Sequence, residues 1–153
     1  MPPLPERLRA ALPRLTASNC RETSPASWEY NCIAWAAGVT DAWWWPAPGR
    51  YWPANVPRDE SVAAFLTAFA ALGYAPGASP ALEPGVEKVA LYAAQGLPTH
   101  AARQLPGGTW TSKLGPAIDI EHDTPEAVGG GAYGEVVAIL SRTRPATAAT
   151  SGA

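Results

Sequence analysis

Thr99-His100-Ala101-Ala102-Arg103-Gln104-Leu105, Pro106-Gly107-Gly108, Thr109-Trp110-Thr111-Ser112-Lys113-Leu114 is the stretch that decides the fold. Two strand-like runs flank a Pro-Gly-Gly turn signal, the signature of an antiparallel hairpin. Counting back from the turn places His100 opposite Leu114, with Ser112 and Lys113 close to it. One face of the first strand then carries His100, Ala102 and Gln104, and the other carries Ala101, Arg103 and Leu105. Upstream, Glu87-Lys88-Val89-Ala90-Leu91-Tyr92-Ala93 reads as a further strand. Downstream, Ala117 to Glu121 reads as a short strand or extended segment. Thr124-Pro125-Glu126 opens a helical turn to Val128, Gly129-Gly130-Gly131 is a turn, and Tyr133 to Arg142 is the last strand.

The N-terminal half is different in kind. Leu4, Leu8, Ala11, Leu12 and Leu15 recur at helical spacing until Pro13 interrupts them. Residues 18–31 read as loop. A short apolar helix follows from Asn31 or Cys32 to Ala37, with Asn31 as its cap and Gly38 as its stop. Residues 39–59 are rich in Trp and Pro and read as a long ordered loop. Arg58-Asp59-Glu60-Ser61 opens the clearest helix, whose stripe is Val62, Phe65, Leu66, Phe69 and Leu72, with Gly73 as its end. A Pro/Gly/Ala linker covers 75–85. The expected architecture is α+β, with N-terminal helices packed on a C-terminal antiparallel sheet. Residues 1–144 are expected to form a single domain and 145–153 a frayed tail.

The chain has 153 residues, 47% of them apolar and 16% charged, with a net charge of −2. That balance gives no electrostatic footprint for nucleic acid or an anionic membrane surface. No apolar run approaches the ~18–20 residues of a membrane span. The N-terminal segment lacks the apolar region of a signal peptide, so the expected location is the cytoplasm, with both cysteines reduced.

There are two cysteines and two histidines. Cys32, at a helix start, sits where unpaired N–H groups favour a thiolate. His100, at a strand start, is the candidate base. Asp119, an acid between Ile118 and Ile120, is the candidate orienter of the imidazole, with Ser112 in reserve. Asn31 is either an oxyanion donor or only a cap. Five of the seven tryptophans lie between Trp28 and Trp45. Trp35 and Trp44, with Asn31 and Ser112, are the candidate substrate contacts. His122 reads as a turn residue or a support to the site. The Cys and His spacings lack any short pairing that would pre-organise a metal, so no metal or cofactor is expected.

As a set, Tyr30-Asn31-Cys32-Ile33-Ala34-Trp35-Ala36, Trp43-Trp44-Trp45-Pro46, Pro98-Thr99-His100-Ala101-Ala102-Arg103-Gln104-Leu105, Trp110-Thr111-Ser112-Lys113-Leu114-Gly115 and Asp119-Ile120-Glu121-His122 resemble a family of small uncharacterised bacterial proteins, a domain of unknown function. More loosely, the order of Cys on a helix, then His and a polar residue on strands, resembles the papain-like superfamily with its cell-wall peptidase and amidase branches. That resemblance implies a papain-like core, Cys32 as nucleophile, His100 as base, and Asp119 or Ser112 as orienter. The implied activity is hydrolysis or acyl transfer at an amide bond in a peptide, protein or small amide. The rival expectation is a non-catalytic binding or accessory module that presents a Trp-rich surface.

Overall fold

A computed structural model describes residues 6–114 and 117–144. Leu4 of the first apolar stripe and the tail 145–153 lie outside the described residues. The fold is mixed α+β and mostly β. Seven antiparallel strands form one sheet: β1 Cys20–Ser24, β2 Ala75–Pro76, β3 Val86–Ala94, β4 Leu97–Gln104, β5 Trp110–Lys113, β6 Asp119–His122 and β7 Glu135–Thr143. Their order is β1-β6-β5-β4-β3-β7-β2. Among the described residues three α-helices, α1 Glu6–Ala11, α2 Cys32–Ala36 and α3 Val62–Ala70, and a 3₁₀ turn, Pro125–Val128, accompany the sheet.

The hairpin forms as its sequence requires. Arg103 pairs with Thr111 and Gln104 with Trp110, and Leu105 N–H donates to Thr109 O across the turn. β3 is buried along most of its length because β4 and β7 flank it and a core lies on each face. Val89, Leu91, Ala101 and Leu140 face a core built with α2, α3 and the Trp-rich loop. Ala90, Tyr92, Ala102, Trp110 and Ile120 face a second core with Leu12, Leu15, Ala127 and Val128. Strand parity therefore sorts the buried residues of the sheet into one of two interiors.

Two segments read as irregular are edge strands. Cys20–Ser24 buries only Cys20 fully and exposes the next three residues, so it lacks the apolar alternation that marks a half-buried strand. Ala75–Pro76 pairs with the outer edge of β7, where a proline tolerates the missing N–H. The acids before α3 also sit differently from expectation: the helix has no acid in its first turn. Ser61 caps it by accepting from Ala64 N–H at 3.0 Å.

Candidate functional site

Asn31 caps α2, as its sequence context suggests: its side-chain oxygen accepts from Ala34 N–H at 3.1 Å. The same oxygen accepts from Trp44 N–H, and its amide donates to Trp44 O at 2.7 Å. Asn31 thus clamps the Trp-rich loop onto the start of the helix, and its polar atoms are taken up within the protein. Trp44 is buried beneath that clamp. Trp35, one helical turn on, donates its indole N–H to Thr111 Oγ1 at 3.0 Å, and Arg103 lies over its ring.

Capping fixes where Cys32 points. The pairing of β4 with β5 stops at Arg103, although β4 extends to Leu97. Because Leu105 and Arg103 direct their peptide groups to β5, so does Ala101; at Thr99 the register with β3 shifts, and its carbonyl also turns to that side. Their ladder partners are replaced by α2. Cys32 Sγ lies 4.0 Å from Thr99 O, and the backbone N–H groups of Ala101, Ile33 and Cys32 itself are near enough to favour its thiolate. The thiol therefore meets the backbone on both sides of His100. Burial pushes the thiol up to about 11, partly offset by those three N–H groups and by the charge on Lys113. Cys32 is 6% exposed.

His100 is fully buried, and its side chain belongs to the opposite interior, beside Tyr92. Its Nε2 lies 2.9 Å from Ser112 Oγ. Ser112 Oγ lies 2.7 Å from His122 Nε2, and His122 Nδ1 lies 2.8 Å from Thr124 O. Among the described residues His100 Nδ1 has no hydrogen-bond partner. Burial lowers His100 well below the ordinary imidazole range, with the neighbouring His122 adding to the effect. Burial also lowers His122, to about 4. At neutral pH the thiol and both imidazoles are uncharged.

Asp119, expected to hold the imidazole, is brought to other partners. It pairs with Lys113 across β5 and β6, while Ser112 pairs with Ile120. Parity puts Asp119 and Lys113 on the α2 side of the sheet and Ser112 and His122 on the other. Asp119 accepts from Tyr30 O–H at 2.6 Å and lies 4.0 Å from Lys113 Nζ. Burial raises its carboxyl, against the lowering by Tyr30, Lys113 and Ser24. The residue that reaches His100 is Ser112, the reserve choice. His122 behind it has a signal in the sequence that the turn reading passed over: in Asp119-Ile120-Glu121-His122, a period of two puts His122 on the face of the buried Ile120.

Among the described residues no group of three or more His, Cys, Asp or Glu is arranged to hold a metal ion, and no helix is long and apolar enough to cross a membrane. Residues 21–141 match the model of a family described as a domain of unknown function (DUF7689), which covers the strands and helix carrying the site. No curated protein and no solved structure matches. The chain belongs to the DUF7689 family.

Proposed function

We propose that this member of the DUF7689 family is a thiol enzyme of papain-like type, acting by acyl transfer at an amide bond, with Cys32 as nucleophile and His100 as base. The observation that carries the reading is the placement of Cys32 among the N–H groups that open the capped helix α2, with Sγ 4.0 Å from Thr99 O, at the strand segment that bears an imidazole nitrogen unpartnered among the described residues. Such N–H groups stabilise negative charge on sulfur and, in a neighbouring position, on a carbonyl oxygen.

Because the resting thiol and imidazole are neutral, deprotonation accompanies attack. In the resting structure Sγ and His100 Nδ1 are not hydrogen-bonded, so the proposed transfer needs the contact to close when substrate binds: Sγ bonds to the carbonyl carbon as the S–H proton passes to His100 Nδ1. The C–N bond then breaks, and His100 returns that proton to the departing amine. Water attacks the thioester, losing a proton to His100. The acid leaves, and the thiol takes its proton back. Amide plus water gives acid plus amine. If an amine replaces water, the same intermediate gives transfer.

p-Nitrophenyl acetate is a small acyl donor suited to a nearly closed site. In a Cys20→Ser background, the expected result is a burst of one nitrophenolate per protein and acetylation of Cys32, seen by mass spectrometry. Loss of the base in His100→Gln slows acylation by about 10²-fold or more. Acetylation no faster than that of free cysteine, or unchanged in folded His100→Gln, overturns the reading.

One observation favours the alternative of a binding module. Trp28 is 75% exposed and stacks on Trp43 at 6.0 Å, with Arg50 over the Trp43 ring. A folded protein without acylation, whose tryptophan fluorescence responds to a peptide or small amide and loses that response in Trp28→Ala, supports this alternative.

A further inference from the structure

The hydrogen-bond chain that ends on His100 has a direction. Thr124 O is a carbonyl and only accepts, so His122 Nδ1, 2.8 Å away, carries a proton. Neutral His122 therefore presents Nε2 as an acceptor. Ser112 has one hydroxyl proton, and its 2.7 Å contact with that nitrogen uses it. The 2.9 Å contact between Ser112 Oγ and His100 Nε2 must then be a donation from His100. The opposite direction would set a bare lone pair of the buried His122 Nδ1 against the lone pairs of Thr124 O, with no proton between them.

We infer that His122 is a positioning residue that acts through Ser112 to lock His100 as the Nε2–H tautomer, so that Nδ1 is the free base of the site. This rests on the thiol-enzyme reading for its purpose, though not for its geometry. His100 Nδ1 is the one ring nitrogen of the relay that has no partner among the described residues. The ring is held between the face of Tyr133, at 4.0 Å, and the edge of Tyr92, at 5.1 Å, which oppose its turning over. When Nδ1 takes the thiol proton, Nε2–H still donates to Ser112, Ser112 to His122 and His122 to Thr124 O. Every bond of the relay already points the way an imidazolium needs, so charge develops without reorganisation. An acid is absent from the relay. The role often given to a carboxylate is filled by a neutral second imidazole.

The test is long-range proton–nitrogen correlation NMR on histidine-labelled protein at neutral pH. The expected signature is His100 protonated at Nε2 and bare at Nδ1, with His122 the reverse. A charged His100, a His100 protonated at Nδ1, or fast averaging between tautomers overturns the inference, whether or not the protein acylates. In Ser112→Ala the His100 signature collapses to a tautomer mixture. In His122→Phe it does the same, and acylation by p-nitrophenyl acetate slows by about 10–100-fold. His122→Gln, whose carbonyl can accept from Ser112, restores both. A folded His122→Phe with an unchanged His100 signature also overturns it. Failure of acylation in the wild type alone removes the thiol-enzyme reading and leaves the relay standing.

Discussion

The imidazole of His100 stacks on the phenol of Tyr133, with centroids 4.0 Å apart and planes 7° from parallel. The stack joins β4 to the loop before β7. Thr99 tightens that junction by donating its hydroxyl to Tyr133 O at 2.6 Å. Gly134 makes the approach possible. Its φ is +72°, and a Cβ there would lie 2.1 Å from Ala93 O. Gly134→Ala is therefore expected to cost about 2–4 kcal/mol in urea denaturation through strain and overpacking. It should also separate the His100 and Tyr133 rings. Gly107→Ala, with open space around the position, is expected to change stability by no more than about 0.5 kcal/mol.

The reactivity of Cys32 should be that of a neutral buried thiol. Burial holds it at about 11 despite three N–H groups. In a Cys20→Ser background, iodoacetamide labelling of Cys32 at pH 6 is expected to be no faster than that of a model thiol. Its rate should keep rising beyond the usual thiol range toward pH 11. A plateau below pH 8 would mean a preformed thiolate and would rule out proton transfer concerted with attack.

Acid should destabilise the fold through the relay. His122 falls from 6.5 to about 4 on folding because burial disfavours its charge. The unfolded chain therefore takes up the proton first as pH drops. The stability His122 contributes is full above pH 6.5 and is lost progressively down to pH 4. The shift corresponds to about 3 kcal/mol. His100 acts in the same direction, since its imidazole is also lowered by burial. Asp119, raised by burial, acts in the opposite direction. Urea titrations at intervals between pH 7 and 4 should show the fall, and His122→Gln should flatten it. An equally steep fall in His122→Gln would assign the acid sensitivity elsewhere.

Asp119 and Lys113 are both fully buried, and their worth is structural on this geometry. Asp119→Leu strands the Lys113 ammonium and the Tyr30 hydroxyl, an expected loss of about 3–5 kcal/mol. Adding Lys113→Met removes the uncompensated charge, so the double variant should be more stable than Asp119→Leu alone. Neither variant should alter the His100 tautomer measured by NMR. A changed tautomer in Asp119→Leu would restore Asp119 as the orienter.

Features that depend on neighbours along the chain were legible in the residues alone. The Pro106-Gly107-Gly108 turn set the hairpin register, and through it the closeness of Ser112 to His100. Asn31 set the start of α2 and so put Cys32 at a helix N-terminus. Regular apolar spacing marked α3. Tertiary structure decided what depends on which strands adjoin. β1 is polar because it lies at an edge, so its residues carry no pattern to read. Asp119 looked like a partner for His100 because a buried acid needs one, but parity gave it Tyr30 and Lys113 on the other side of the sheet. His122 joined the relay because β6 lies against β5 with His122 opposite Trp110. The placement of the thiol was also decided there. A helix end took the place of a ladder partner beside β4, bringing Cys32 to the backbone around His100 from 68 residues away. Local hydrogen bonds and turn geometry are written in adjacent residues. The face a side chain occupies, and the group it meets there, follow from sheet order.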